Sequence, residues 1–384
     1  MLDADHALRR LPSLLAAAGY RPEFLAGRLG IRVPDDVGQI NHAPMVERLR
    51  DDRTRAAALT RLFFLETDEP QARVFDEATR RALRSAGLLS QRAGRVRARL
   101  RLDPIGAHWL LADRRFRAPD SRALRLPPGD PVYPPSSDSI LLRDVVVKRD
   151  RGTVLDLCTG SGVQALAVAS ASERVIAVDV SARAAALARL NAALNGIGNV
   201  EVRIGDLYRP VAGERFDTVI ANPPFVPSPY RRGPAYHSGG PTGARVLRRI
   251  VGGLHEALQP DGRFFAVSHL AVRRGETVAD VLRPWWRRFP GRALALVLES
   301  GSAVDLAAAQ SLFALADGFT AYAAEVTRWV AYLRRHRVQD VVLLLLAAER
   351  GGRRGFDAIT AFQRTLPLPL SHPPRHHVEQ WLTG

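Results

Sequence analysis

The pattern of apolar and polar residues divides the chain into a helical first part and a regular strand–helix second part. Over residues 1–60 the leucines recur at helical spacing, and Leu8, Leu11 and Leu14 fall on one face. Prolines interrupt this pattern several times, which predicts short amphipathic helices rather than one long one. A further helix is predicted over Ala56–Leu65.

A different pattern follows between Ala72 and Ala118. The periodicity predicts a helix over Phe75–Ser85, a strand over Val96–Leu102, where the residues alternate, and a strand over His108–Ala112. A helix, a turn and two strands resemble a winged-helix module. We therefore expect an N-terminal helical and winged-helix-like accessory domain over residues 1–126. Such modules bind nucleic acid in some proteins and serve as packing or substrate-orienting domains in others.

From Thr153 onward, short apolar strands alternate with amphipathic helices. The predicted strands are Val154–Leu157, Arg174–Val178, Val200–Ile204, Phe216–Ala221, Arg263–Ser268, Ala293–Leu298 and Val341–Leu346. The predicted helices between them are Val163–Ser170, Ala182–Asn195, Gly243–Ala257, Thr277–Arg288 and a long stretch over Asp305–Arg335. This alternation predicts an α/β fold with a seven-stranded, Rossmann-like, parallel-type sheet and helices on both faces.

The segment that joins the two parts is rich in proline between residues 127 and 135. Proline favours extended backbone, so residues 127–150 are predicted to form a linker and a helix over Ser139–Val147. The residues Ser136–Asp138 either cap this helix or form part of a lid over a ligand pocket. The α/β domain is then predicted over residues 151–350, and a C-terminal extension over 351–384.

The formal net charge is +16, which suggests an anionic partner such as RNA. Lys148 is the only lysine, however, and uniform use of arginine with abundant alanine, glycine and proline is also typical of a GC-rich genome. The single cysteine excludes an internal disulfide and fits a reducing cytosol. No apolar run approaches the length of a membrane span, and the first residues are acidic where a signal peptide is basic. These features predict a cytoplasmic protein.

The first strand of the α/β domain ends in Asp156, and a turn of small residues containing Gly160 and Gly162 follows it. Such a turn lets the backbone approach a nucleotide closely and exposes the N-terminus of the next helix. The sequence also satisfies the loose dinucleotide pattern, so an NAD enzyme is one interpretation. Asp156 argues against it, because a carboxylate would repel a pyrophosphate but tolerate a cationic or zwitterionic ligand.

Polar residues also follow the next three predicted strands, at the sheet edge where ligands of such folds bind. Asp179 is placed to accept hydrogen bonds from two ribose hydroxyls. Asp206 is placed to accept from an adenine amino group, or to cap the helix that follows.

The tetrapeptide from Asn222 to Phe225 is the most specific feature. Two consecutive prolines stiffen the turn, so the Asn222 amide oxygen and the Pro223 carbonyl can accept two hydrogen bonds from one planar amino group. Phe225 can stack on that plane. This geometry suits attack by the nitrogen on a methyl group, with the rate coming mostly from proximity and orientation.

Together these motifs resemble the class I S-adenosylmethionine-dependent amino-methyltransferases. The branch that the chain resembles contains the glutamine-N5 methyltransferases of release factors and the rRNA guanine-N2 and tRNA adenine-N6 enzymes. A stretch from Gly239 to Gly243 also resembles that branch, although Thr242 stands where the branch has aspartate. The resemblance covers residues 135–300 and Val341–Leu346.

The resemblance implies S-adenosylmethionine as cofactor and a role for each motif. Asp156 and the glycine turn would hold its methionine part, Asp179 its ribose and Asp206 its adenine. The implied cofactor-binding set is Asp156, Cys158, Thr159, Gly160, Gly162, Asp179, Val180, Gly205, Asp206, Leu207 and Asn222. Asn222, Pro223 and Phe225 would be catalytic, holding and stacking on the target nitrogen.

The loop after Phe225 contains the remaining candidate acceptor residues. Tyr230, Tyr236 and His237 can line an acceptor pocket together with Phe225, and Arg231–Arg232 can contact an anionic substrate. A solvated loop is the alternative for all of them. We predict no metal site, because the prolines between His372 and His376 prevent one helical face from presenting both rings.

The predicted function is therefore methyl transfer to a planar amide or exocyclic amino nitrogen of a macromolecule, either RNA or a protein glutamine. A small-molecule acceptor of a biosynthetic pathway is the first alternative. A non-catalytic winged-helix regulator that binds nucleic acid is an alternative of another class, and an NAD-dependent dehydrogenase is the last. The sequence does not indicate an oligomeric state.

Overall fold

The computed structural model describes residues 2–38, 41–115, 131–146, 151–230, 239–352, 354–360 and 374–383. The helices are α1 Leu2–Ala17, α2 Pro22–Leu29, α3 His42–Arg48, α4 Arg55–Leu59, α5 Glu77–Ser85, α6 Ser137–Val145, α7 Val163–Ala169, α8 Ala182–Leu194, α9 Arg245–Ala257, α10 Val278–Trp286, α11 Ala303–Ser311, α12 Phe319–Arg335 and α13 Pro374–Thr383. The strands are β1 Glu69–Pro70, β2 Leu89–Arg92, β3 Arg95–Ala98, β4 Arg101–Ile105, β5 His108–Ala112, β6 Gly152–Leu157, β7 Ser172–Asp179, β8 Val200–Ile204, β9 Phe216–Ala221, β10 Leu258–Arg273, β11 Gly291–Ser302, β12 Val338–Arg350 and β13 Gly355–Thr360.

The central sheet has eight strands in the order β13-β11-β12-β10-β9-β6-β7-β8. The strands from β10 to β8 pair in parallel, whereas β12 runs antiparallel to both of its neighbours. All seven predicted strands are present, but the sheet contains an eighth, so the predicted number of strands is wrong. The eighth strand, β13, pairs in parallel with β11 at the sheet edge. It is only six residues long, and Asp357 interrupts its apolar residues, so its pattern does not distinguish it from the predicted C-terminal extension.

Both faces of this sheet are covered by helices. Successive side chains of a strand point to opposite faces, so the continuous apolar residues of these strands require cover on both. Leu155 and Leu157 of β6 pack into one core with α9 and α10. Val154, one position along, packs into the core on the other face, which contains residues of α6, α7, α8 and α13. The α/β fold with a large, mostly parallel sheet that the sequence predicted is therefore confirmed.

The three strands that follow α9 are longer than the apolar runs predicted. β10 pairs with β9 only as far as Ala266 and Ala221, and it continues to Arg273 beside β12. The extension of β10 begins and ends with polar residues, His269 and Arg273, so a pattern of continuous apolar residues does not reveal it. The consequence is that β10 and β12 project past the end of β9.

The helical stretch predicted over Asp305–Arg335 is present as two helices, α11 and α12, which we call the helical hairpin. A 3-10 segment and Gly318, at a φ of 101°, separate them. The hairpin covers the projecting strands: Ala307, Trp329 and Leu333 share a core with Ala271 of β10 and with Val226, which follows the Asn222–Phe225 turn. The hairpin therefore lies beside the proposed acceptor site.

The N-terminal part contains a three-stranded antiparallel sheet, β1-β3-β2, next to α5, and a two-stranded sheet of β4 and β5. The single strand predicted over Val96–Leu102 is wrong, because it divides into β3 and β4. Its alternation breaks at Arg101, which is fully buried and paired with Asp103 instead of facing solvent.

The N-terminal part is joined to the α/β part through α8. The side-chain amides of Asn191 and Asn195 each accept a hydrogen bond from a backbone N–H of β5 and donate one to a backbone carbonyl of β5, as an extra strand would. Apolar residues of α8 also enter the N-terminal core. Among the described residues, no helix is long and apolar enough to cross a membrane.

Candidate functional site

The turn between β6 and α7 has the backbone shape that a close approach to a ligand requires. Cys158, Gly160 and Gly162 all have positive φ angles, of 59°, 55° and 90°. A Cβ on Gly162 would come within 3.1 Å of Leu166 and 3.4 Å of the Ala188 backbone, so glycine also lets α7 and α8 pack tightly. The turn leads directly into the N-terminus of α7, as predicted.

Asp179 is held firmly at the end of β7. Its Oδ2 accepts a hydrogen bond from the Gly160 N–H at 2.9 Å, and its Oδ1 accepts from the Ser181 N–H at 2.9 Å. A carboxylate oxygen can accept two hydrogen bonds. The side chain is half-buried at the sheet edge, which suits a pair of ribose hydroxyls.

Asp156 is fully buried beneath the glycine turn. Its Oδ2 accepts from the Thr159 hydroxyl at 2.5 Å and from the Ala165 N–H at 3.1 Å, whereas its Oδ1 has no hydrogen-bond partner among the described residues. Burial raises the pKa of Asp156 to about 7. A buried acceptor without a partner is costly, and a cationic group would stabilise it. The buried carboxylate beneath this turn therefore fits the ammonium-bearing methionine part of S-adenosylmethionine.

The thiol of Cys158 is inert in this setting. Burial, and next to it the charge of Asp179, raise the pKa of Cys158 well above its usual value, so the thiol stays protonated. Its place in the predicted cofactor-binding set rests on its backbone in the turn and not on its sulfur.

Asp206 lies after β8 and makes an ion pair that the sequence did not predict. Arg249 of α9 donates to both of its oxygens, at 3.1 and 2.7 Å, and this lowers the pKa of Asp206. The residue that precedes the following 3-10 helix is Tyr208, so Asp206 is not its N-cap. An adenine amino group bound at Asp206 would share the carboxylate with Arg249.

The residues on either side of Asp206 shape the same edge. The Gly205 N–H donates to the Asp179 carbonyl at 2.9 Å, which ties the ends of β8 and β7 together. A Cβ on Gly205 would lie 2.4 Å from the Pro210 ring. Leu207 has a φ of 53°, and Val180 is an exposed apolar residue with 62% of its surface accessible. An exposed valine beside Asp179 can pack against the apolar face of an adenine ring.

Asn222 is fixed by residues from a distant part of the chain. Its Nδ2 donates to the Asp138 carboxylate and to the Ser139 hydroxyl, both at 3.1 Å. Both amide hydrogens are thereby directed toward α6, so the Asn222 Oδ1 and the Pro223 carbonyl are the acceptors left for a substrate. This is the orientation that binding of an amino group requires.

The first turn of α6 thus contacts Asn222 through Asp138 and Ser139. Neither interpretation of the sequence, a helix cap or a lid over a ligand pocket, predicted this contact. Ser136 is the N-cap residue, but its hydroxyl donates to the Asp138 side chain and does not accept a hydrogen bond from a backbone N–H of the helix. The Gln164 amide of α7 donates to the Ser139 carbonyl at 2.7 Å and fixes this turn against the glycine loop. The run of polar residues before α6 was the only sequence signal, and it did not indicate Asn222 as the partner.

Phe225 is held by an aromatic partner on β10. Its ring lies 4.6 Å from the ring of His269, at an interplanar angle of 31°. Burial lowers the pKa of His269, so the imidazole is neutral at physiological pH. His269 was not predicted as a site residue, because it follows the predicted end of its strand at Ser268.

The glycines that follow the acceptor loop pack directly onto the Asn222–Phe225 turn. A Cβ on Gly243 would lie 2.0 Å from the Phe225 carbonyl oxygen, and Gly243 has a φ of 77°. A Cβ on Gly239 would lie 2.1 Å from the Gly243 carbonyl oxygen. The Gly239 N–H also donates to the Val226 carbonyl at 3.0 Å. These close contacts explain why both positions are glycine. They do not depend on an aspartate at position 242, where this chain has Thr242.

Tyr230 packs on the helical hairpin. Its hydroxyl donates to Glu325 and accepts from Arg328 at 2.8 Å, and its ring meets Trp329 edge-on at 6.4 Å. Tyr236 and His237, with Arg231 and Arg232, lie outside the described residues. Their predicted roles at the acceptor pocket stay predictions.

In the described part of the chain, no group of three or more His, Cys, Asp or Glu side chains could hold a metal ion. His376 and His377 lie on α13, with their rings 6.3 Å apart, and His372 lies outside the described residues.

Comparison with known proteins adds independent information. A model of the methyltransferase small domain matches residues 136–284. The ribosomal protein uL3 glutamine methyltransferase of Burkholderia pseudomallei is 39% identical over 130 residues, which are 29% of this chain and 42% of that protein. The release factor glutamine methyltransferase of Thermodesulfovibrio yellowstonii is 30% identical over 168 residues, 38% of this chain and 60% of that protein.

A protein of Methanocaldococcus jannaschii that is named as a protein N5-glutamine methyltransferase is 33% identical over 137 residues. These are 34% of this chain and 68% of that protein. The chain therefore spans about two thirds of this relative, but less than two thirds of the first two.

Proposed function

Because this chain belongs to the family of the protein N5-glutamine methyltransferases, we propose that it transfers a methyl group from S-adenosylmethionine to the side-chain amide nitrogen of a protein glutamine. By analogy with the named acceptors of its relatives, a ribosomal protein or a release factor is the acceptor. With either acceptor the reaction belongs in the cytoplasm. The observation that carries the proposal is the fixed amide of Asn222 at the end of β9.

The cofactor would be held along the ends of β6, β7 and β8. The ammonium group would lie at the glycine turn, close to the buried carboxylate of Asp156, and the ribose hydroxyls would bond to the Asp179 carboxylate. When bound, S-adenosylmethionine supplies an electrophilic methyl carbon on a positively charged sulfur. The buried carboxylate of Asp156 favours a cationic ligand by the same electrostatics.

The acceptor amide would be held by Asn222 and Pro223. Their two carbonyl oxygens accept the two N–H groups of a glutamine amide, so the nitrogen is fixed in one orientation. Phe225, stacked on His269, offers a flat surface to the amide plane. The nitrogen forms a bond to the methyl carbon as the bond to sulfur breaks, and it loses one proton to solvent. No strongly basic side chain is needed for this, and the acceleration comes from proximity and orientation.

We also propose that residues 1–126 form a winged-helix-like accessory domain that orients the acceptor. The three-stranded sheet next to α5 supports this proposal, as does the docking of β5 on α8, which continues from β7. In this arrangement, residues 127–150 are a linker with a lid helix, and residues 151–350 are the methyltransferase domain. Residues 351–384 are a C-terminal extension whose strand β13 joins the sheet of that domain.

The test is transfer of labelled methyl from S-adenosylmethionine to a cell extract separated into protein, RNA and small molecules. We expect label in the protein fraction only. Label confined to RNA would favour base methylation, and label confined to small molecules would favour a biosynthetic enzyme. Binding of S-adenosylhomocysteine without any transfer would indicate a regulator.

A further inference from the structure

A cluster of arginines lies on two adjacent turns at the far end of the projecting strands. The end of β10 and the turn after it contribute Arg273, Arg274 and Glu276, and the end of α12 and the turn before β12 contribute Arg335, His336 and Arg337. The Arg274 N–H donates to the Arg337 carbonyl at 3.1 Å, so the two turns are fixed side by side. Together they line an open cavity of about 410 Å³.

Among the described residues, carboxylates do not balance the charge of this cluster. Glu276 is its only carboxylate, and the nearest guanidinium, that of Arg273, is 3.9 Å away. Across the described residues, the guanidinium groups of Arg274, Arg335 and Arg337 make no hydrogen bond or ion pair. Arg335 lies in the last turn of α12, where it offsets the helix dipole. That effect does not account for the other three arginines, which repel each other unless an anion lies between them.

An aromatic pair stands at the edge of the same cavity. The ring of His336 lies 4.6 Å from the ring of Tyr332. The Tyr332 hydroxyl in turn donates to the Pro241 carbonyl at 3.2 Å, in the loop that packs on the Asn222–Phe225 turn. Arginines that bind phosphate next to aromatic rings that stack on bases are the combination that single-stranded RNA requires. An acidic peptide would use the arginines but not the rings.

We propose that this cavity, which we call the arginine cavity, binds the phosphate backbone of single-stranded RNA. Arg273 follows His269 by four positions along β10, about 13 Å at the rise of an extended strand. RNA bound there would lie beside the acceptor site without entering it. The arginine cavity would thus hold an RNA that accompanies the methyl acceptor. It shares no residue with the proposed methyl-transfer site, so the two proposals can fail independently.

The test is the salt dependence of binding to a fluorescein-labelled oligouridine, measured by fluorescence anisotropy with the full chain. The variant Arg335→Gln/Arg337→Gln removes two charges from the arginine cavity. The control Arg287→Gln/Arg288→Gln removes two exposed charges after α10, outside the cavity. Calorimetric binding of S-adenosylhomocysteine by each variant shows that the fold is intact.

We expect the cavity variant to bind oligouridine at least about tenfold more weakly, with a salt slope about 1.4 smaller, as the loss of two phosphate contacts to a single strand requires. The control should change neither value appreciably. Equal losses in both variants would overturn the proposal, because binding would then reflect net charge alone. If the cavity variant bound oligouridine as tightly as the unaltered protein does, the proposal would be overturned. Weaker binding of polyglutamate by the same variant would then indicate an acidic protein as the partner.

Discussion

The two halves of the proposed site are built in different ways. The donor side consists of the glycine turn, Asp156 and Asp179, all within one strand–helix–strand unit. The acceptor side consists of the Asn222–Phe225 turn, whose amide depends on Asp138, 84 positions earlier, and whose ring depends on His269. Local chain geometry forms the donor side, whereas long-range contacts form the acceptor side. A change on the acceptor side can therefore leave the donor side intact.

Replacing Asn222 by alanine should separate the two sides most clearly. Asn222→Ala removes one of the two acceptors for the target nitrogen, and we expect turnover to fall about a hundredfold to a thousandfold, as when one fixed polar group of a transition-state site is lost. Affinity for S-adenosylhomocysteine, measured by calorimetry, should change little. Unaltered turnover in a folded variant would contradict the assignment of the acceptor side.

Replacing Asp179 by alanine should damage the donor side instead. The variant loses two charge-assisted hydrogen bonds to the ribose, so S-adenosylhomocysteine should bind about a hundredfold more weakly. Turnover at saturating S-adenosylmethionine should fall much less. Calorimetry and a titration of S-adenosylmethionine in a methyl-transfer assay check the two values. A pure loss of turnover with normal affinity would mean that the two sides are not separable.

The pH dependence of cofactor binding should report on Asp156. Burial raises the pKa of its carboxyl to about 7 in the free protein. Below that pH the carboxyl is protonated, and binding of an ammonium group must displace the proton. Affinity for S-adenosylhomocysteine should therefore be constant above about pH 7 and fall up to about tenfold per pH unit below it.

In Asp156→Asn this pH dependence should disappear, with weaker binding throughout. Calorimetry between about pH 5.5 and 8.5 covers the transition around the raised pKa. An affinity in the unaltered protein that does not vary across this range would show that Asp156 does not contact the cation.

The smallest expected effect concerns the orientation of Asn222. Ser139→Ala removes one of the two acceptors for its Nδ2, and the remaining bond to Asp138 should limit the loss of turnover to about threefold to tenfold. Ser137→Ala is the matched control on the same helix, since its hydroxyl donates to Asp35 instead. If both variants behaved alike, α6 would not position Asn222.

The same contrast explains what the sequence could predict. Spacing between neighbouring residues was enough to place Asp156, Gly160, Gly162 and Asp179 at the ends of β6 and β7, and to predict the alternation of strands and helices. Their roles at a cofactor stay predictions. The partners Arg249 and His269, and the hydrogen bonds from Asn222 to α6, follow from how separate elements pack. No local pattern contains that information. The eighth strand and the long β10 were missed for a related reason, since pairing with neighbours stabilises residues that are not continuously apolar.

The most direct measurement is peptide mapping by mass spectrometry after incubating the protein with S-adenosylmethionine and an unmethylated release factor or ribosomal protein uL3. We predict a mass gain of one methyl group on a single peptide, with fragmentation that places it on the side-chain nitrogen of a glutamine, and no gain with Asn222→Ala. A methyl group on any other residue type, or an equal gain with Asn222→Ala, would contradict the account.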